Sequence, residues 1–168
     1  MNHSDRLTGD TLLLMGSKAF SADALPRTIR ELIDEAMASH MTIIVGEVPG
    51  ACHLFQEYLY SKGYTSVIVG HVRSIRYNAG DWKTVQYGDT LIERERSMIT
   101  SCTSAIILWY NNSSVIARNL ELLKKLAIPT FLYEYSSETG ESNEGWLDPH
   151  RTYDPSILWN NRQTHRGK

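Results

Sequence analysis

Two carboxylates and one run of basic and aromatic residues carry most of the chemical potential of this chain. Glu47 lies in Thr42-Ile-Ile-Val-Gly-Glu-Val-Pro-Gly-Ala51, where an apolar run ends at Gly46 and Pro49-Gly50 turns the chain. Ala51, Leu54, Phe55 and Tyr58 then recur at helical spacing. A strand, a glycine-containing turn and a helix start in that order leave backbone N–H groups directed outward, a place for a phosphate or another anion. The same turn also serves simply to connect two elements. Glu95 lies among Leu91, Ile92, Met98 and Ile99, on a helix face where a carboxylate is hard to ionise and suited to acid or base work. Its neighbours Arg94 and Arg96 give it the alternative of an ion-paired surface position. Between the two carboxylates, Arg73, Arg76 and Lys83 interleave with Tyr77, Trp82 and Tyr87. Guanidinium groups chelate phosphates and rings stack on bases, although such rings also anchor a loop to the body of a domain. His53 and His71 have no Cys or second His at ligand spacing, so neither a metal nor a cofactor is expected.

The elements that must hold these residues are short and alternate in kind. Thr11 to Met15 is an apolar run ending in Gly16-Ser17-Lys18, a buried strand followed by a polar turn. Leu25, Ile29, Leu32, Ile33, Ala36 and Met37 give a helix over 22–39, with Asp23 near its start and Pro26 in its first turn. Met41 to Gly46 is a second strand, Pro49 to Lys62 a second helix closed by Gly63 in a left-handed cap, and Thr65 to Val69 a third strand. From Gly70 to Asp89 the regular pattern is lost, and a loop of that length with this content points to function. Thr90 and Glu93 form a capping box for a third helix. Ser104 to Trp109 is a fourth strand, Ser114 caps a helix over 115–126, and Ile128 to Tyr135 is a fifth strand. Trp109 either walls a pocket or packs in the core. The remainder, with Trp146, Tyr153, Leu158 and Trp159, lacks periodicity and reads as a tail.

Strands alternating with helices imply an α/β domain, a Rossmann-like three-layer α/β/α arrangement on a mostly parallel sheet. Loops beginning at Gly16, Gly46, Gly70 and Trp109 then open on one crevice at the carboxyl ends of the strands. With 42% hydrophobic residues, 21% charged residues and a net charge of −2, the chain has no bulk electrostatic case for nucleic acid. Cys52 and Cys102 lack paired spacing, which fits a reducing cytoplasm, and no apolar run reaches the length of a membrane span.

Several short motifs now stand in a familiar order: Gly16-Ser17-Lys18, Gly46-Glu-Val-Pro-Gly-Ala51, Arg76-Tyr-Asn78 with Gly80 and Trp82, Arg94-Glu-Arg-Ser-Met98, and Leu108-Trp109 followed by Ser113-Ser114 and Asn119. Over residues 11–135 the chain resembles the SLOG superfamily of Rossmann-like nucleotide-binding domains. That group includes the Lonely Guy phosphoribohydrolases and DNA-processing protein A, and is similar to nucleoside 2-deoxyribosyltransferases. The resemblance implies five strands in the order 3-2-1-4-5, a nucleotide-binding domain over 1–135, and a polar extension over 136–168 packed on it or trailing from it. It implies a nucleotide or nucleoside as ligand and a homodimer as assembly. The ligand would be held by Gly16, Ser17, Lys18, Gly46, Pro49, Gly50, Arg76, Asn78, Trp82, Trp109, Ser113, Ser114 and Asn119. Lonely Guy enzymes carry Gly-Gly-x-Gly-Thr-x-x-Glu after strand four, whereas this chain has Asn112 to Asn119 there. Val115 and Ile116 crowd the helix start, Asn119 replaces the working carboxylate, and Cys52 stands where relatives have an acid. An amide is neither nucleophile nor general base. The expected function is therefore nucleotide binding or sensing, with an N-glycosidase or deoxyribosyltransferase-like enzyme using Glu95 or Glu47 as the alternative.

Overall fold

The structure, a computed structural model, describes residues 5–153. Its elements in chain order are β1 (Thr11–Gly16), α1 (Arg27–Ala38), β2 (Thr42–Gly46), α2 (Ala51–Ser61), β3 (Val67–His71), β4 (Lys83–Gln86), α3 (Leu91–Thr100), β5 (Ser104–Tyr110), α4 (Ser114–Lys125), β6 (Thr130–Tyr135) and β7 (Ser142–Trp146). The strands form one sheet in the order β4-β3-β2-β1-β5-β6-β7, parallel except for the final β6/β7 hairpin. Five strands in the order 3-2-1-4-5 were expected; among the described residues the sheet has seven, and its order changes accordingly. The five anticipated strands lie inside it as β3-β2-β1-β5-β6, with one further strand at each edge.

Both additions come from segments that read as irregular. β4 lies within the expected loop over 70–89 and pairs Ile68 with Lys83 through His71 with Gln86. Four residues of mixed polarity at an exposed edge leave no alternation to detect. β7 lies within the expected tail, where Phe131 pairs with Trp146 and Tyr135 with Ser142. The extension is thus partly built into the sheet, and beyond β7 the buried Leu147 and Tyr153 pack under α4 with Trp109 and Leu123. Leu158 and Trp159 lie outside the described residues.

Helices cover both faces because strand side chains alternate. Leu12 and Leu14 of β1 face Ile29 and Ile33 of α1 and Phe55 and Leu59 of α2. Leu13 and Met15 face Met98 and Ile99 of α3 and Ile116, Leu120 and Leu123 of α4. Each such side chain, fully withdrawn from water, contributes about 1.5–3 kcal/mol. α1 starts later than its apolar pattern suggests: Pro26 occupies the N-cap with ψ 146, and the residue before a proline resists the helical conformation. α2 ends as expected, with Gly63 at φ 67, the Gly63 amide donating to Tyr60 and the Tyr64 amide to Leu59. The capping box of Thr90 and Glu93 is also present.

The apolar face expected for α3 is rotated. Leu91 and Ile92 are exposed, and the buried residues of this helix are Arg94, Met98 and Ile99. No helix among the described residues is long and apolar enough to cross a membrane.

Candidate functional site

β1, β2, β3 and β5 end at the same edge: Gly16 is level with Leu108, and Gly46 with Gly70. The loops after these strands therefore meet there, and the register puts Glu47 one residue beyond the sheet. Its side chain is only 2% exposed, and Arg76 and Arg94 supply four donors to it. Oε2 accepts from the Arg76 amide at 3.2 Å and from Arg76 Nε at 2.8 Å; Oε1 accepts from Arg76 Nη2 at 3.2 Å and from Arg94 Nη1 at 3.2 Å. Burial alone would raise the pKa of Glu47, but these hydrogen bonds from Arg76 and the charges of Arg76 and Arg94 outweigh it and hold the carboxyl below its ordinary value.

The polar chain continues through α3 to α4. Arg94, 4% exposed, donates from Nη2 to Glu95 Oε2 at 3.3 Å, and its Nε has no acceptor among the described residues. Asn119 donates from Nδ2 to Glu95 Oε1 at 3.0 Å and touches Met15 Sδ at 3.1 Å. Arg76, Glu47, Arg94, Glu95 and Asn119 thus form one connected series. A carboxylate at position 119 would confront Glu95; the amide that stands there is its donor.

A cavity opens at each end of the series. Glu47 and Arg76 line one of about 430 Å3 together with Val72, Arg73, Ser74, Asp89, Thr90 and Leu91. Glu95 and Asn119 line another of about 550 Å3 in the groove between α3 and α4. The two expected catalytic carboxylates therefore face different spaces, with Arg94 between them.

The switch point between β1 and β5 is closed by contacts of its own. Ser17 donates its amide to Leu108 O at 2.9 Å and accepts the Ala51 amide at 3.2 Å, so two N–H groups suited to a phosphate are engaged. Ser17 Oγ lies 3.0 Å from Ser113 Oγ and accepts the Tyr110 amide at 2.9 Å. Gly50 caps α2 at φ 87, where a Cβ would fall 2.3 Å from Lys18 O, and a Cβ on Gly16 would fall 2.5 Å from the Ala51 Cβ. These glycines allow the first two loops to interlock. Pro49 and Lys18 remain exposed at the rim, as does Ser114 at the start of α4. Asn111 and Asn112 both adopt φ 53, so the turn after β5 has the left-handed backbone that Asn tolerates best after Gly. Ile116, expected to crowd the helix start, is turned into the core, while Val115 stands exposed.

Three other expected ligand residues have partners within the fold. Asn78 closes the loop on itself, donating to Trp82 O at 2.9 Å and accepting the Trp82 amide at 3.0 Å. Trp82 is buried against the face of α1 and α2 and donates Nε1 to Tyr64 O at 2.9 Å. Trp109, 1% exposed, donates Nε1 to Ser113 O at 3.0 Å and packs near Tyr153. Cys52 is buried, and that burial pushes its thiol to about 11, so it is a neutral packing group beside Gly46.

Two residues matter here whose roles the sequence does not announce. Arg94 is one; it precedes Met98 by four residues, and with Leu91 and Ile92 facing outward that spacing puts it on the buried face. Gln56 is the other: fully buried, it donates to Gly46 O at 2.7 Å and Tyr77 O at 3.1 Å and accepts the Ala79 amide at 2.9 Å. It ties the end of β2 to the loop that carries Arg76. No group of three or more His, Cys, Asp or Glu that could hold a metal occurs among the described residues. Comparisons with family models, with curated proteins and with solved structures find no match to this chain.

Proposed function

We propose that this chain is a SLOG-like module that binds a nucleotide or nucleotide-derived ligand in the cavity over Glu47. The observation that carries the reading is the Arg76–Glu47 pair: a buried carboxylate with a half-exposed guanidinium laid across it, at the rim of a space of about 430 Å3. Arg73 and Arg76 offer phosphate donors, and Ser74 and Asp89 line the same space. All the acceptor positions of Glu47 are used, so a ligand phosphate that draws Arg76 away leaves Glu47 Oε2 free to accept a ribose hydroxyl. The entering group and the displaced one have complementary chemistry, which is what a binding or sensing site requires.

The alternative is an N-glycosidase or deoxyribosyltransferase-like enzyme. It is favoured by one contact, the 3.0 Å bond of Glu95 to Asn119, because this carboxylate lies next to the position where Lonely Guy enzymes keep theirs. Incubation with nucleoside monophosphates and NAD-type dinucleotides, followed by thermal shift and by chromatography for released base, separates the two. Under the binding reading Arg76→Ala weakens affinity by about 1–3 kcal/mol, the scale of one charge-assisted contact, and Glu95→Gln changes it little. Under the enzymatic reading Glu95→Gln abolishes base release with binding retained. Unchanged affinity of Arg76→Ala for every nucleotide tested removes the proposed cavity.

Homodimerisation and a reducing, cytoplasmic setting belong to the same proposal. The first is supported by Leu91, Ile92 and Val115, exposed at the starts of α3 and α4; the second by Cys52 and Cys102, both buried as free thiols. Sedimentation at micromolar concentration distinguishes a dimer from a 19.1 kDa monomer.

A further inference from the structure

We propose that the groove between α3 and α4, separate from the cavity over Glu47, is a binding site for a phosphorylated small molecule. Its volume of about 550 Å3 falls within the range of small-molecule sites, roughly 300–1,000 Å3. Asn119 and Ala117 are its buried residues, Ile92 and Leu122 its apolar ones, and Arg96, Arg118 and Lys125 its exposed cations.

The charge of this groove is unbalanced. Its two carboxylates are neutralised within the protein: Glu95 by Arg94 and Asn119, and Glu121 by Lys124 Nζ at 2.8 Å and by the Tyr153 amide at 2.6 Å. Arg96, Arg118 and Lys125 form no ion pair with a described residue. A solvated helix face ordinarily balances such cations with acids three or four residues away. The acids at that spacing are committed elsewhere: Glu93, three before Arg96, closes the capping box, and Glu121, three after Arg118 and four before Lys125, holds Lys124 and Tyr153. Three cations around one concavity repel one another, and a ligand with two or more negative charges relieves that repulsion.

The rest of the groove limits what carries the charge. Two arginines favour a phosphate, whose oxygens match their paired N–H groups. Asn119 has spent its amide nitrogen on Glu95 and Met15, so what it has left is a carbonyl oxygen, an acceptor for an amino or hydroxyl group. Ile92 and Leu122 accept an apolar or ring-shaped body. The site therefore suits a phosphorylated small molecule with hydrogen-bond donors on its body. The inference does not depend on the cavity over Glu47, since none of its three cations lines that cavity.

The test titrates inorganic pyrophosphate into the isotopically labelled full chain and follows backbone amides by NMR. Saturable shifts along α3 and α4 are expected. Arg118→Glu combined with Lys125→Glu, both at exposed positions, should weaken this binding about tenfold or more, with the thermal midpoint retained. Arg76→Ala should leave it unchanged, so that failure of this site and failure of the Glu47 cavity are read separately. Pyrophosphate that moves no amide of α3 or α4, or binds the double variant as tightly as the parent, overturns the proposal. So does a double variant whose only change is in sedimentation, which assigns the groove to contact between copies.

Discussion

The carboxyl edge of the sheet carries two polar assemblies of opposite character. Between β1 and β5, Ser17 and Ser113 meet through neutral hydroxyls and backbone amides, and the seam is packed shut. From β2 across α3 to α4, Glu47, Arg94 and Glu95 carry full charges, and the series opens on a cavity at each end. The difference follows from solvation. A buried neutral hydrogen bond costs little to desolvate and can be closed over, whereas buried charges must each find a partner and resist complete enclosure. Space for a ligand therefore lies at the ends of the charged series and not at the seam, although in sheets of this topology the seam is the usual binding position.

Removing Glu47 should have the largest effect on the charged assembly. Glu47→Ala leaves Arg94 buried without its main counter-charge and should lower stability by about 3–5 kcal/mol, as for a buried pair that loses one partner. At the seam the largest effect should come from Gly50→Ala, where φ 87 and a Cβ contact of 2.3 Å with Lys18 O combine left-handed strain with overpacking, about 2–4 kcal/mol. Ser17→Ala removes only neutral bonds to Tyr110 and Ser113 and should cost about 1–3 kcal/mol. Urea unfolding of the three variants ranks them. A Ser17→Ala loss equal to that of Glu47→Ala would erase the distinction between the two assemblies.

What could be read in the sequence follows the same division. The inner strands and the helices of both faces announce themselves because burial forces apolar residues into a run, as in Leu12-Leu13-Leu14, or into a period, as in Ile29, Ile33 and Ala36. Glu47 was legible because an acid directly after a buried strand has few places to go. Arg94 was not, since a charged residue adjacent to Glu95 reads as its surface partner; only its spacing to Met98 gives it away, and only once Leu91 and Ile92 are known to face outward. Asn78 and Trp82 were read as ligand groups because the chemistry that holds a nucleotide also holds a loop. β4 was hidden for a different reason: it is fixed by pairing with β3 and by Trp82, Asn78 and Gln56 acting from outside it, so its own four residues carry little pattern.

The smallest expected effect is also the most specific to the charged assembly. The carboxyl of Glu47 ionises more readily in the folded protein than at its ordinary value of 4.5. A carboxyl lowered on folding adds stability that is complete above its unfolded value and is lost as the pH falls through the folded one. The contribution of Glu47 should therefore be constant near neutrality and decline below about pH 4.5, the decline continuing down to the lowered folded value. Other carboxyl groups of the chain protonate over the same range, so the informative quantity is the difference between variants. Glu47→Gln, less stable at neutral pH, should lose less on acidification than the parent. Arg76→Ala should do so in part, because the Arg76 hydrogen bonds are the foremost cause that opposes burial. Ser17→Ala should keep the parent slope, since it removes only contacts of a neutral hydroxyl. Parallel pH profiles for the parent and Glu47→Gln would mean that Glu47 gains no ionisation on folding, and would remove the electrostatic difference between the two assemblies.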